Sequence, residues 1–313
     1  MKRFILSLSG FAAILLVIMI AIEVGLLYRP NVYAYKRQYL DTHANDIKVL
    51  LLGSSHIEEG IRPELIGEGT FNLAISARLN AYDAALAELY VPRLKKLEVV
   101  VMPLDYTNFS FGRVHHTSND PKGIDLASTC RCMHTKYMGT RIDPIWYWSE
   151  ILNSKLNYMS RFWNKDTKVL QECDSLGYIP LDIKDRKPGW EHYSKPAGID
   201  STLPIDIKEY KAKYAEYETI ARVTAEAGVR LLIITSPVNE NYKKAMDDII
   251  KQDMLRFVSE LKAEYPHVEF HDFIYAEGFV DDDFHDASHL NDSGAVKFSK
   301  LLSKVIHAHH PQN

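Results

Sequence analysis

The sequence has few cysteines and no excess of basic residues, and these shortages exclude several classes of protein. Three cysteines among 313 residues are too few for a disulfide framework. The 37 Lys and Arg residues are outnumbered by 41 Asp and Glu, which gives a formal net charge of −4 and disfavours a nucleic-acid-binding protein. Charged residues make up 25% and hydrophobic residues 46%, which is typical of a globular protein and excludes intrinsic disorder.

The three cysteines, Cys130, Cys132 and Cys173, are consistent with three interpretations. In the first, all three are inert, mostly buried thiols. In the second, Cys173 forms a disulfide with Cys130 or Cys132 in an oxidising compartment. In the third, the Cys-x-Cys pair is half of a zinc site. We adopt the first, because unpaired cysteine is among the most buried residue types. The sequence therefore predicts no metal and no cofactor.

One long hydrophobic run stands at the N-terminus, from Phe4 to Ile22. It has no charged residue and is long enough to cross about 30 Å of hydrocarbon as a helix. We predict an uncleaved membrane anchor over residues 1–28 and a polar stalk over 29–46. A cleaved signal peptide is the alternative, but its apolar core is usually shorter, about 7–15 residues. Basic residues flank the run on both sides, so orientation rests on the simplest signal-anchor topology, which places the rest of the chain outside the cytoplasm.

Residues 47–313 alternate short apolar segments with amphipathic ones, and no internal repeat is present. The apolar segments predict five strands, at Ile47–Leu52, Thr70–Ala74, Leu97–Met102, Val229–Thr235 and Val268–Phe273. The amphipathic segments predict helices at Ala81–Lys96, Ile207–Ala227 and Tyr242–Tyr265, and a last helix capped by Asp292 or Ser293 that runs to about His307. This alternation predicts a doubly wound, flavodoxin-like α/β fold with a mostly parallel five-stranded sheet in three α/β/α layers.

The alternation stops between residues 109 and 205, a stretch rich in aromatic residues that also contains the cysteines. We interpret it as a large insertion into the α/β domain. Its aromatic side chains form either a sugar-stacking surface or a hydrophobic cluster that holds the insertion together, and the cluster is the more usual fate of aromatic residues.

The first predicted strand ends in Gly53-Ser54-Ser55-His56. Ligands of such sheets bind beyond the carboxyl ends of the strands, so a serine here has its hydroxyl exposed beside backbone N–H groups that can stabilise an oxyanion. The simpler interpretation is that Ser54 or Ser55 only caps the helix that follows.

A second motif, Asp286-Ala287-Ser288-His289, lies just before the last predicted helix. A serine hydroxyl needs a base and the base needs an orienting acid, and His289 and Asp286 supply both on one loop. The alternatives are a solvated acidic loop, because Asp281, Asp282 and Asp283 are adjacent, or a metal cluster that includes His285. A serine after the first strand and this motif before the last helix converge on one edge of the sheet, which favours a catalytic site.

In this order and placement the motifs resemble those of the SGNH (GDSL-like) hydrolase superfamily. Val49–Ser55 resembles the first block, in which Gly-Asp-Ser follows an apolar strand, and places Ser55 at the nucleophile position. Asn72–Ala77 resembles the second block, and Asp286-x-x-His289 the last, with His289 as base and Asp286 as its partner. The resemblance covers about residues 47–108 and 229–308.

The resemblance also implies an oxyanion hole built from the backbone N–H groups of Ser55 and Ala77, where Ala77 replaces a family glycine. In the third block the family has Gly-x-Asn-Asp, whereas this chain has Met102–Asn108. Tyr106 falls near the family asparagine and Asn108 is close by, so either side chain is a candidate third donor.

A Gly-Ser-Ser form with a membrane anchor is similar to the envelope-associated branch of this superfamily, which includes D-alanyl transfer proteins of teichoic-acid modification and polysaccharide O-acetylation proteins. The resemblance implies a serine-dependent acyltransferase or esterase with an envelope polysaccharide and an acyl donor as substrates, and a multi-span membrane acyltransferase as partner. A catalytically idle glycan-binding or scaffold module is the alternative, favoured by the altered third block. A third possibility, if the anchor is inverted, is a lipase-like enzyme that faces the cytoplasm.

Overall fold

The computed structural model describes residues 1–27, 31–76, 78, 80–106, 133, 173–193 and 207–308. These fall into two compact units, one with residues 1–37 and 133, the other with the remaining described residues. Helix α1 of the first unit spans Lys2–Leu27. Within residues 2–25, the most apolar 18-residue stretch has a mean hydropathy of 2.8, which makes α1 long and apolar enough to span a membrane.

The second unit contains all the described strands and the helices between them. Helix α2 spans Val32–His43 and continues into this unit. The strands are β1 (Val49–Leu51), β2 (Thr70–Asn72), β3 (Val99–Pro103), β4 (Arg230–Ile234) and β5 (Val268–His271). The helices are α3 (Ser55–Glu58), α4 (Pro63–Ile66), α5 (Asn80–Tyr90), α6 (Ile207–Ala227), α7 (Glu240–Ala245), α8 (Asp248–Glu264) and α9 (Asp292–His307).

The five strands form one parallel sheet in the order β2-β1-β3-β4-β5. This is the flavodoxin-like order, and helices cover both faces of the sheet, as the alternation of segments predicts. In the central register Leu51 pairs with Asn72 on one side and with Val101 on the other. The order reverses between β1 and β3, so the predicted crevice for a ligand lies beyond the carboxyl ends of these two strands.

Alternate residues of the strands point to opposite faces, and both faces are buried. Leu51, Val101 and Leu232 pack with Phe298 and Leu302 of α9 in one apolar cluster. The strand residues between them, including Leu50, Val100 and Leu231, are also fully buried, and α5 and α6 pack against each other in the other layer. Burial on both sides explains why the strands are continuous apolar runs.

Three elements differ from the sequence expectation. The predicted polar stalk over 29–46 is mostly helix α2, where the buried Leu40 and the ring of Tyr39, stacked 4.2 Å from Phe71, contact the α/β core. The helix predicted over Tyr242–Tyr265 is two helices, because Met246 is extended and Asp247 begins a new helix by accepting a hydrogen bond from the Ile249 N–H. Helix α9 is capped by Asn291, one residue before the predicted caps.

Of the predicted insertion over 109–205, the structure describes Met133 and residues 173–193. Cys173 is a buried thiol. Cys130, Cys132 and the aromatic residues between 146 and 163 lie outside the described residues.

Candidate active site

The turn that follows β1 requires a glycine. Gly53 has φ +121, and a Cβ atom at this position would overlap the ring of Pro103. The Gly53 N–H donates to Oδ1 of buried Asp83 at 3.1 Å, and its carbonyl accepts from Ile75 at 3.0 Å. The chain therefore leaves the sheet in a fixed direction, and Ser55 becomes the first residue of α3.

The second motif, Asp286-Ala287-Ser288-His289, lies on a loop whose two ends are joined by hydrogen bonds. Phe284 and Leu290 form an isolated antiparallel bridge, and the His285 N–H donates to the His289 carbonyl at 2.8 Å. Inside the loop, Oδ1 of Asp286 accepts the backbone N–H groups of Ser288 and His289, both at 2.9 Å. The three-residue spacing thus lets the aspartate hold the backbone of the histidine that it faces.

The structure brings Ser55, His289 and Asp286 into one hydrogen-bonded chain. Ser55 Oγ lies 2.8 Å from His289 Nε2, and His289 Nδ1 lies 2.9 Å from both Asp286 carboxylate oxygens. An ionised carboxylate only accepts hydrogen bonds, so Nδ1 carries the proton and Nε2 accepts the hydroxyl proton of Ser55. This is the arrangement in which a serine hydroxyl is activated as a nucleophile.

The charge of Asp286 is strongly favoured in this loop. Its partial burial acts to raise the pKa, but the hydrogen bond and electrostatic attraction of His289 and the two backbone N–H groups outweigh burial, so the pKa of Asp286 lies well below its usual range. A permanently ionised partner holds one tautomer of His289 at neutral pH.

No side-chain hydrogen bond supports the alternative that Ser54 or Ser55 only caps α3. Ser54 is the N-cap residue of α3, but its side chain makes no capping hydrogen bond. The Ser55 hydroxyl is within hydrogen-bond distance of His289 Nε2. The two neighbours therefore differ in environment: among the described contacts, it is the Ser55 hydroxyl that lies within hydrogen-bond distance of His289.

The four residues predicted for the oxyanion hole differ in how the structure describes them. Ser55 is the first residue of α3, and its backbone N–H has no acceptor among the described residues. Ala77 and Asn108 lie outside the described residues. The Tyr106 hydroxyl accepts the Asp247 N–H at 2.5 Å, and its ring lies edge-on to Tyr242.

Two carboxylates hold the segment that leads to Ala77. The Ser76 N–H donates to Glu58 at 2.6 Å, and the Ser76 hydroxyl donates to Glu59 at 2.7 Å. Burial raises the pKa of Glu59, although the charge of His289 and the hydrogen bond from Ser76 act in the opposite direction. Glu58 ends α3 and Glu59 follows it directly, so the turn that carries Ser55 and the segment after β2 are fixed to each other.

A buried ion pair that the sequence analysis missed lies behind this turn. Arg78 donates to Oδ1 of Asp83 at 2.6 Å, and both side chains are fully buried. The same oxygen accepts the Gly53 N–H. The pair joins the turn after β1 to α5, and its position in the sequence carries no motif that would have indicated it.

A second imidazole–carboxylate pair, also missed from the sequence, adjoins the first. His56 Nδ1 lies 2.6 Å from Asp105 Oδ1, and His56 Nε2 lies 3.2 Å from Ser288 Oγ. The rings of His56 and His289 have centroids 4.7 Å apart. The available signal was that His56 follows Ser55 directly and that Asp105 follows β3, on the two sides of the switch point.

Residues 173–193, the longer described part of the insertion, make hydrogen bonds to the loop that carries Asp286 and His289, here called the Asp286 loop. The Ala287 N–H donates to the Tyr193 carbonyl at 3.1 Å, and the Asp292 N–H donates to the Leu181 carbonyl at 3.0 Å. Arg186 donates to the carbonyls of Asp281 and Phe284 while it lies 4.2 Å over the ring of Trp190. We call residues 173–193 the strap, because it holds this loop from outside the sheet.

The described residues contain no group of three His, Cys, Asp or Glu side chains arranged to hold a metal ion. The acidic run Asp281–Asp283 instead forms a turn of 3-10 helix, in which the buried Asp283 pairs with Lys297 at 2.7 Å. His285 donates its backbone N–H within the loop.

No protein-family model matches the sequence, and no curated protein matches it. Among solved structures, the chain is similar to a GDSL-like lipase from Bacteroides thetaiotaomicron, at 11% identity and a TM-score of 0.43 over 88% of this chain and 98% of the lipase. A Bacteroides fragilis protein provisionally described as an acylhydrolase matches at 12% identity and a TM-score of 0.40, over 87% of this chain and 95% of its own. These similarities are distant.

Proposed function

We propose that this chain is a serine-dependent esterase or O-acyltransferase, with Ser55 as nucleophile, His289 as general base and Asp286 as the residue that orients the base. The observation that carries the proposal is the continuous contact from Ser55 Oγ through both ring nitrogens of His289 to the Asp286 carboxylate. A serine hydroxyl hydrogen-bonded to an imidazole that a carboxylate orients is activated as a nucleophile at neutral pH.

In the first half-reaction, Ser55 Oγ attacks the carbonyl carbon of an acyl ester while His289 Nε2 takes the hydroxyl proton. The tetrahedral oxyanion is stabilised by the Ser55 N–H, and we propose the Ala77 N–H as second donor and Tyr106 or Asn108 as the third. The intermediate collapses when the ester C–O bond breaks and His289 returns its proton to the departing alcohol. The acyl group is then bound to Ser55.

In the second half-reaction, His289 takes a proton from the acceptor hydroxyl, which attacks the acyl-serine and releases Ser55 with its proton restored. Water as acceptor makes the protein an esterase, and a sugar hydroxyl makes it a transferase. The covalent step is common to both, so the acceptor decides between them.

We further propose that the acceptor or donor is a polysaccharide of the cell envelope and that α1 anchors the chain with the α/β domain outside the cytoplasm. Helix α1 is long and apolar enough to serve as a single-pass anchor. An anchored enzyme meets a membrane-bound or envelope substrate at a raised local concentration. We propose as its partner a multi-span membrane acyltransferase that presents the acyl group to the anchored α/β domain.

The test uses the full-length chain in detergent micelles, with p-nitrophenyl acetate as substrate and a fluorophosphonate as a covalent probe. We expect Ser55→Ala to abolish labelling and Ser55→Ala or His289→Ala to lower kcat/KM by about 10³-fold or more, since members of a triad act as a unit. Ser54→Ala is the matched control, because its hydroxyl is adjacent in sequence but does not contact His289; it retains labelling and turnover.

A folded wild-type chain that neither hydrolyses the ester nor reacts with the fluorophosphonate would contradict the proposal and favour the glycan-binding or scaffold module. To separate the two enzyme activities, an oligosaccharide acceptor is added during turnover. Acylated sugar formed at the expense of free acetate identifies a transferase, and unchanged acetate release identifies an esterase.

A further inference from the structure

The His56–Asp105 pair is built like the pair that serves Ser55. Its ring lies beside that of His289, and its hydrogen bond toward the proposed triad runs to the Ser288 hydroxyl. Both side chains are about nine-tenths buried, and the Nδ1–Oδ1 distance is 2.6 Å. Ser288 is 3% exposed, and its hydroxyl also lies 3.2 Å from His289 Nδ1 and 3.5 Å from Asp286 Oδ1.

The donors and acceptors fit one pattern when His56 carries two protons. Nδ1–H then donates to Asp105 and Nε2–H donates to Ser288 Oγ, which leaves the Ser288 hydroxyl proton directed at Asp286. Asp286 accepts it together with the Nδ1–H of His289, so every contact between Asp105 and Ser55 joins one donor to one acceptor.

Neutral His56 breaks this pattern. Its Nδ1 keeps the proton for Asp105, so Nε2 becomes an acceptor and the Ser288 hydroxyl turns to donate to it. The oxygens of Ser288 and Asp286 then face each other at 3.5 Å without a proton between them. The Asp286 carboxylate loses one hydrogen bond, and Ser288 competes with it for the Nδ1–H of His289.

We propose that His56, held as an imidazolium by Asp105, is a positioning residue that acts through the Ser288 hydroxyl to fix the Asp286 carboxylate against His289. The kinetic part of this inference rests on the proposed acyl-transfer function, whereas the charge state of His56 does not.

Four titratable groups face His56 from the surrounding elements: Asp105 after β3, Glu59 after α3, and Asp286 and His289 on the loop before α9. Burial acts to lower the pKa of His56, but the charge and hydrogen bond of Asp105, with smaller contributions from Asp286 and Glu59, outweigh burial and raise it. The charged form, and with it the ordered site, is therefore present at low pH and is lost as pH rises through the raised pKa.

The first experiment measures the pH profile of kcat and KM for p-nitrophenyl acetate, corrected for spontaneous hydrolysis, on the full-length chain in micelles. In the wild type we expect kcat to fall on the alkaline side while KM stays within about twofold. In His56→Leu we expect kcat to be about tenfold lower near neutral pH, the effect of one lost hydrogen bond to a charged group.

Two variants change the alkaline side of the pH profile in ways that a purely structural role of His56 would not produce. In His56→Gln the amide N–H₂ donates to Ser288 at every pH, so activity is restored relative to His56→Leu and the alkaline fall disappears. In Asp105→Asn the alkaline fall moves to lower pH, because the charge that raises the pKa of His56 is gone. His271→Gln, which alters a histidine 3.5 Å from Glu269 on β5, is the control and leaves the profile unchanged.

The second experiment observes His56 directly by ¹⁵N NMR of the full-length chain labelled on its histidine side chains, with the His56 signals identified by their absence in His56→Gln. At pH 6.5, the ordinary pKa of histidine, we expect both ring nitrogens of His56 to be predominantly protonated. A His56 that is mostly neutral at that pH overturns the proposal whether or not the chain hydrolyses esters. An alkaline fall that persists in His56→Gln overturns it equally.

Discussion

At the scale of single residues, Gly53 occupies the turn that leads from β1 to Ser55 and α3. Its φ of +121 is unfavourable for any side chain, and a Cβ atom would in addition overlap Pro103. Both effects act at the turn that sets the direction of α3.

We expect Gly53→Ala to lower the free energy of unfolding by about 2 kcal/mol and to slow fluorophosphonate labelling of Ser55. Gly278→Ala is the matched control, since φ is +89 but open space surrounds the position. It should cost about 1 kcal/mol and leave labelling unchanged. Equal loss of labelling in both variants would contradict a local effect at the turn. Chemical denaturation and labelling rates give the two measurements.

Asp286 gives the folded state an acid-sensitive contribution. Because its folded pKa is lower than its unfolded pKa, the carboxylate stabilises the fold fully above the ordinary carboxyl pKa of about 3.9. That contribution is lost as pH falls from about 4 toward the folded value.

We therefore expect the wild type to be more stable than Asp286→Asn near neutral pH and the difference to shrink below about pH 4. Denaturant unfolding of both chains from pH 7 down to pH 3 measures this. A difference that stays constant over the whole range would mean that the contribution of Asp286 does not depend on its charge.

The contact between Ser55, Asp286 and His289 could be predicted because each residue stands in a recognisable place, after the first strand or before the last helix. His56 and Asp105 could not, although they are equally close. A histidine after a serine and an aspartate in a loop have no characteristic spacing, and they meet only because β1 and β3 are neighbours in the sheet.

At the scale of elements, α9 holds the loop that carries Asp286 and His289. Asn291 caps this helix by accepting the Gly294 N–H at 3.1 Å, and its amide donates to the Asp282 carbonyl at 2.7 Å. One side chain thus fixes both the start of the helix and the base of the loop.

We expect Asn291→Ala to lower the free energy of unfolding by about 1–2 kcal/mol and to reduce kcat several-fold. Asp247→Ala, which removes the cap of α8, is the control and should cost about 1 kcal/mol while kcat is retained. If both variants lose kcat equally, the effect arises from general destabilisation. Unfolding curves and ester hydrolysis report the two quantities.

The order of strands and helices could be predicted because parallel strands buried on both faces are continuous apolar runs. Their ends could not: Leu52 and Thr235 are as buried as the strands, but the paired register ends before them. The break between α7 and α8 was also missed, since the apolar period continues through Met246 and only the Asp247 cap restarts the helix. The strap was missed because it bonds to the Asp286 loop and its flanking residues through the backbone carbonyls of Leu181 and Tyr193 and the side chain of Arg186, a combination that forms no pattern in the sequence.

At the scale of the whole molecule, α1 is expected to determine where the reaction takes place. We expect the full-length chain to remain in the membrane fraction after carbonate extraction and a chain without residues 1–30 to be released.

The orientation of the domain is tested separately. Lys184→Cys places a thiol at an exposed position of the strap. We expect a membrane-impermeant maleimide to label it in intact cells above the level of the parent chain. Labelling only after lysis would indicate a domain that faces the cytoplasm.

Ser55 and His289 are 234 residues apart in the chain. At synthesis rates of about 5–20 residues per second, the proposed nucleophile is made roughly 10 to 50 s before the proposed base. Helix α1 is made before either of them. With the proposed roles of α1 and His289, the nascent protein is unreactive while α1 enters the membrane, and a product terminated between Ser55 and the final loop carries α1 and the serine but lacks the proposed base.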